Sequence, residues 1–185
     1  MKIKCAIISR STLKKIKAFV RSAKKFEIGG PMVGFMSQND LVITDLDGPG
    51  INGKLNTFSV TVDGEHSKEF CDFAYFQSGR LIDYVGDWHC HPSICIRPSK
   101  GDEQAIATMA KSPGLTTNPL SLIYGSVIGR FKIYQWDQLK SCLIPITHKV
   151  VDQAKIEQLI IEKNLGALKT TNLFGLEPNP PNIDA

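Results

Sequence analysis

Two rhythms of apolar and polar positions interleave along this chain. Period-two stretches predict strands, and stripes recurring every three to four residues predict amphipathic helices. Residues 3–8 predict a short strand. Leu13, Ile16, Phe19, Val20 and Ala23 then form a helical stripe with Ser11 as its N-cap, and this helix is expected to end near Lys25. Gly29-Gly30 marks a tight turn or a close backbone approach. Residues 31–36 and 41–45 read as strands joined by a hairpin turn at Asn39-Asp40. Gly48-Pro49-Gly50 breaks the pattern, residues 50–55 read as a mobile loop, and 57–62 alternate as a third strand. Asp63 is placed to cap a second helix with Phe70, Phe73, Ala74 and Gln77 on its inward side, ending at Ser78-Gly79. Residues 81–91 predict a central strand, 92–98 a loop with two prolines, and Ser99 the start of a third helix that buries Ile106, Met109 and Ala110. After a loop over 113–119, residues 120–127, 130–136 and 141–148 predict three more strands. A last amphipathic helix spans 152–164, with Ile156, Leu159 and Ile160 as its contact stripe.

This alternation of strands and helices predicts an α/β domain, a mixed sheet flanked by helices. The expected unit is a single domain over residues 1–169, followed by an Asn- and Pro-rich tail over 170–185 that is extended or disordered unless it docks. No internal repeat is present. Apolar residues make up 42% and charged residues 22% of the 185, the balance of an ordinary globular protein. The net charge of +4 is mildly basic. Its one concentration, Lys14, Lys15, Lys17, Arg21, Lys24 and Lys25, falls on the first helix and reads as a solvated face, with a nucleic-acid patch as the lesser reading. Five cysteines at 5, 71, 90, 95 and 142 form no CxxC pair, which argues against a disulfide framework and against a four-cysteine zinc knot. The N-terminal apolar stretch is too short for a secretion signal, and no apolar run approaches the roughly 20 residues of a membrane span. A cytoplasmic protein with reduced thiols is expected.

The chemistry concentrates between His89 and Asp102. On a strand, residues two apart share a face, so His89 and His91 point one way and Cys90 the other. Two neutral imidazoles on one face make a natural pair of zinc ligands. Asp102, four residues before Ile106, projects from the inward face of the third helix and can supply a third ligand. Three protein ligands leave a fourth position open, as catalytic rather than structural zinc sites do. Each feature also has a plainer explanation. Histidines are commonly surface or satisfied core residues, and Ser99-x-x-Asp102 is by itself a capping box that needs no chemistry. Cys90 and Cys95 are possible soft ligands, but a regular strand turns Cys90 away from the pair. Trp88 and Phe35 read first as core residues and second as groove walls.

His89-x-His91-Pro92, seven residues from Pro92 to Pro98, then Ser99-x-x-Asp102, with Glu27 upstream before Gly29-Gly30, resemble the JAMM (JAB1/MPN/Mov34) metalloprotease signature. The resemblance covers roughly residues 5–145. It implies a mixed curved β-sheet flanked by helices, the JAMM/MPN, cytidine-deaminase-like architecture. It also implies Zn2+ bound by His89, His91 and Asp102. Glu27 would act as general base toward the attacking water and then as general acid toward the leaving amine, and Ser99 would donate to the developing oxyanion. Taken alone, Glu27 reads as an exposed acid at a helix end.

Ile43-Thr44-Asp45, Gly48-Pro49-Gly50 and the run from Tyr84 to His89 are similar to small JAB proteins of mobile elements and anti-phage (CBASS-type) operons. In those operons such proteins accompany ubiquitin-transfer-like enzymes and cyclic-nucleotide synthases. The implied substrate is the amide bond at the C-terminal tail of a ubiquitin-like protein or transfer enzyme, bound as an added strand with small residues at the cut. The clamping insertions of some eukaryotic relatives are missing, which speaks against linkage-specific cleavage of polyubiquitin. Pro31-Met32 departs from the two aliphatics of many relatives. The competing readings are a non-catalytic MPN-type scaffold, for which all ligands would not be needed, and a DNA-repair-linked JAB protein, supported only by the basic balance. A zinc deaminase is disfavoured, because His-x-Glu and Pro-Cys-x-x-Cys are both missing.

Overall fold

The computed structural model describes residues 3–112 and 118–163. Strand β1 (Cys5–Ser9) runs directly into helix α1 (Arg10–Ala23). The cap of α1 is Ser9 rather than Ser11: Ser9 keeps extended backbone, and its hydroxyl accepts the Thr12 N–H at 2.9 Å. Strand β2 (Gly29–Ser37) and strand β3 (Asp40–Leu46) form the predicted hairpin, with the turn at Gln38 and Asn39 instead of Asn39-Asp40. Gln38 takes the left-handed φ of 57° that this turn needs. The segment read as a mobile loop contains strand β4 (Lys54–Leu55), paired antiparallel with β5 (Val60–Thr61) in a small separate ribbon.

Helix α2 (Gly64–Gln77) starts at Asp63, whose carboxylate accepts the Glu65 and His66 N–H groups. Its buried residues are Phe70 and Ala74; Phe73 is 41% exposed and Gln77 is exposed, so the inward stripe is narrower than predicted. Strand β6 (Asp83–His91) carries the histidines, and α3 (Lys100–Met109) follows the proline-containing loop. Strands β7 (Leu120–Gly125), β8 (Arg130–Asp137) and β9 (Cys142–Val151) and helix α4 (Gln153–Glu162) complete the described chain. The tail over 170–185 and most of the loop over 113–119 lie outside the described residues.

The expected mixed sheet with flanking helices is present, but it closes. Its order is β1-β3-β2-β6-β7-β8-β9, and β9 pairs back onto β1 in parallel to make a seven-strand barrel. Two register shifts lie along β2, each with the extra residue on the partner strand: Thr44 of β3 opposite Val33/Gly34, and Val85 of β6 opposite Met32/Val33. Such bulges increase local twist and help a sheet curl.

The two sheet faces bury different partners. Alternate strand residues such as Ile8, Leu41, Ile43, Trp88, Cys90 and Leu122 join Ile16, Phe19 and Ala23 of α1 in the main core. On the opposite face, Val33, Phe35 and Val42 pack with α2 and α4. Ile123, Tyr134 and Trp136 pack on that same outer face with Ile106 of α3. Cys90 therefore faces the core as strand alternation predicts; Phe35 is a core residue, and Trp88, also buried in the core, borders the groove described below as well. Trp88 stacks on Phe19 at 5.7 Å, and its indole N–H donates to the Asp47 carbonyl at 2.7 Å.

The paired glycines lie inside β2, and their role is close approach rather than a turn. A Cβ on Gly29 would sit 2.4 Å from the Trp88 carbonyl oxygen, and one on Gly30 would sit 2.3 Å from that of Asp47. Glycine at 29 lets β2 pair this tightly with the strand that holds the histidines, and glycine at 30 lets the backbone at Asp47 and Gly48 pass close over it.

Candidate metal centre

His89 and His91 emerge from β6 on the face opposite Trp88 and Cys90, so their rings leave the core and meet α3. Their register partners on β7 are Ile123 and Gly125. Gly125 leaves room for the loop after His91: a Cβ there would meet Ile96 at 2.7 Å. His91 is fixed from behind, with its Nδ1 3.0 Å from the Cys95 carbonyl. A carbonyl can only accept, so Nδ1 carries the proton and Nε2 offers its lone pair forward.

The start of α3 aims the third group. Ser99 and Asp102 form a reciprocal capping box: the Ser99 N–H donates to Asp102 Oδ2 at 2.6 Å, and the Asp102 N–H donates to Ser99 Oγ at 3.2 Å. The box that caps the helix thus also holds the carboxylate over the imidazoles. His89 Nε2 lies 3.3 Å from Asp102 Oδ1, His91 Nε2 lies 3.5 Å from Asp102 Oδ2, and the two Nε2 atoms are 3.0 Å apart. Tetrahedral zinc with bonds of about 2.0–2.1 Å separates its ligand atoms by about 3.3 Å. The three spacings bracket that value, so these donors fit the metal by number, chemistry and spread. Among the described residues this is the group of His, Cys, Asp and Glu side chains close enough to share one ion.

Charge within the cluster is strongly coupled. Burial works to raise the Asp102 carboxyl, but hydrogen bonds from His89 and His91 outweigh it and hold the group well below the ordinary carboxylate range. The Asp102 hydrogen bond in turn raises His91, against the effect of burial. Glu27 lies between α1 and β2, half-buried rather than exposed, and it lines the same groove as His89, Ser99 and Asp102. Burial raises its carboxyl, and the nearby His91 and His89 partly offset this. An acid so placed can exchange protons near neutrality more readily than a fully solvated one.

The groove continues beyond the cluster. One wall is the segment from Phe58 to Val62, which includes β5; the other is α3 down to Met109. The floor holds Asp87 and Ser121, register partners on β6 and β7. Burial pushes the Asp87 carboxyl up to about 7, with a hydrogen bond from Tyr84 partly opposing the shift. Neither Asp87 nor the ribbon wall was assigned a role from sequence. The signal for Asp87 was available, since it stands two residues before His89 and therefore on the same face.

No family model matches the chain. It is 32% identical over 103 residues to the "Probable metalloprotease y4qB" of Sinorhizobium fredii, covering 53% of this chain and 63% of that protein. It is 26% identical over 125 residues to the "CD-NTase/cGAS isopeptidase" of Escherichia coli, covering 68% of this chain and 76% of that one. The match thus spans less than two thirds of the first relative's length. Among solved structures, protein DSY2949 from Desulfitobacterium hafniense superposes with a TM-score of 0.58 over 80% of this chain and 93% of its own, at 12% identity, a likeness of fold alone. Two relatives that bear the names metalloprotease and isopeptidase thus agree with the JAMM-type resemblance that Glu27, His89, His91, Ser99 and Asp102 carry in this sequence.

Proposed function

We propose that this protein is a zinc-dependent JAMM-type isopeptidase, acting in the cytoplasm on the amide bond that joins the C-terminal tail of a ubiquitin-like protein or transfer enzyme to its target. The observation that carries the reading is the convergence of His89, His91 and Asp102 within 4.8 Å of one another, with His89 and Asp102 lining a groove that Glu27 and Ser99 also line. The domain over 1–169 is taken as a JAMM/MPN unit. A CD-NTase, a cyclic-nucleotide synthase, is the proposed context of the conjugate, by similarity to the relative named CD-NTase/cGAS isopeptidase.

His89, His91 and Asp102 would hold the ion. Zinc in such a site supplies Lewis acidity and lowers the pKa of water from about 15.7 to about 7. The remaining work falls to this chain's own residues. Glu27 takes the proton from the attacking water as its oxygen closes on the scissile carbonyl carbon. It then delivers that proton to the amide nitrogen as the C–N bond breaks, so that a neutral amine leaves; the water's second proton stays on the new carboxyl group and passes to Glu27 or the leaving amine as the tail becomes a carboxylate. Ser99 Oγ spends its acceptor capacity on the Asp102 N–H, which frees its own proton to donate to the developing oxyanion. The open ribbon edge beside the groove can take an extended tail as an added strand.

The test is cleavage of a ubiquitin-like fusion by the wild type and by Glu27→Ala, with zinc content measured on both. The variant is expected to keep fold and zinc and to lose turnover by at least about a hundredfold. Equal turnover would remove Glu27 from the mechanism, and absence of cleavage by the zinc-loaded wild type would overturn the peptidase reading.

A further inference from the structure

The far end of the groove holds a charge that the described residues leave without a counter-ion. Helix α3 runs antiparallel to β6, so its N-terminal Ser99 and Asp102 meet the histidines, whereas Met109 at its other end meets Tyr84 at 2.7 Å. Asp87 lies on the floor at that far end, beside Ser121 and between the apolar walls made by Phe58, Val60, Val62 and Ile106. Tyr84 gives it a neutral hydrogen bond. No Lys or Arg lines the groove, and among the described residues none lies within ion-pair distance of Asp87. A carboxylate in an apolar-walled trough is costly unless a cation or several donors reach it.

We propose that Asp87 is a specificity residue that accepts a Lys or Arg side chain of the bound tail, two or three residues before the scissile bond. The spacing follows from strand geometry. Asp87 and His89 are two residues apart on β6, about 7 Å along the strand, and a parallel or antiparallel tail advances about 3.3 Å per residue. The tail carries the acyl side of the bond, since the amine side is a side chain on a folded target and does not thread a groove walled on both sides. Ser121, buried to 2% exposure on the same floor, offers a hydroxyl to the same cationic head. The proposal rests on the peptidase reading, and its test separates the two.

Matched tail peptides carrying Arg, Gln or Glu at the second and at the third position before the scissile amide are compared. Two readouts are taken: kcat/KM with the zinc-loaded wild type and Asp87→Asn, and fluorescence-anisotropy binding to Glu27→Gln with and without Asp87→Asn. Zinc content is checked in every variant. The Arg peptide is expected to exceed the Gln peptide by about tenfold or more at one of the two positions, the Glu peptide to be the poorest, and the Arg/Gln ratio to fall towards one in Asp87→Asn. A ratio near one in the wild type, or a ratio that Asp87→Asn leaves intact, overturns the assignment of Asp87. If no peptide is cleaved, the peptidase reading fails. The binding ratio then decides the subsite alone: Arg preference lost on Asp87→Asn upholds it, and its absence overturns it.

Discussion

Asp87 shows how one burial choice sets a measurable pH response. Its carboxyl is pushed up to about 7 by burial, whereas an aspartate in the unfolded chain titrates near 3.9. The folded state therefore holds this proton more tightly than the unfolded state. The associated stabilisation is fully present below about pH 4 and is lost as pH rises through about 7. Removing the titration with Asp87→Asn should cancel that loss. In metal-free protein, the melting temperature of the wild type is expected to fall relative to Asp87→Asn between pH 5 and pH 8. Parallel curves over that range would show that Asp87 is solvated and ordinary. The raised His91 adds a loss of the same sign, but it is common to both proteins and drops out of the difference. Residue-level chemistry of this kind is only half legible in a sequence. The alternation rule places Asp87, His89 and His91 on one face, yet nothing local reveals that Met109, at the end of a helix that begins after β6, meets the Tyr84 hydroxyl beside the acid.

Element α3 combines two duties in its first turn, and they can be separated by substitution. Ser99 caps the helix through its hydroxyl and is proposed to donate the same hydroxyl's proton to the oxyanion. Ser99→Ala removes both and should cost about 1 kcal/mol of stability along with activity. Glycine is a tolerable cap, so Ser99→Gly should cost only a few tenths of a kcal/mol, yet lower kcat by roughly 10²–10³ for want of the donor. Denaturant melts and turnover measured on the same two variants check this. If Ser99→Gly keeps full turnover, the hydroxyl is a cap alone. The box was readable from sequence because capping is local, spanning three residues. The same holds for the Asp63 cap and for the Ile156, Leu159 and Ile160 stripe of α4. Where elements meet over long distances, sequence gave less. The glycines of β2 look like a turn until Trp88 and Asp47 are seen pressed against them, and Phe73 looks buried until the narrow contact of α2 leaves it out. The strand read over 57–62 is there as the short β5, but its partner β4, only two residues long, left too little pattern and fell in the segment read as a loop.

At the scale of the whole molecule, barrel closure separates stability from chemistry. The closing contact is the parallel pairing of β1 with β9, strands at opposite ends of the described chain, which no local pattern announces. It encloses a core built from α1 and the inward strand faces, and α2, α4 and α3 cover parts of the outer face. The candidate ligands belong to none of these three clusters. His89 and His91 stand on a strand paired on both sides, and Asp102 is held by a capping box made of the chain's own groups. The metal-free chain therefore has reason to stay folded, unlike small zinc domains whose binding energy is their folding energy. Chelation is expected to abolish turnover while leaving the far-UV circular dichroism unchanged, and zinc should restore activity without a refolding step. At a thousandfold excess of zinc over Kd, binding adds about 4 kcal/mol, or of order 10 °C in Tm for a domain of this size. Loss of the dichroism signal on chelation would mean that the ion supports the barrel rather than the reaction. It would move His89, His91 and Asp102 from a catalytic to a structural role.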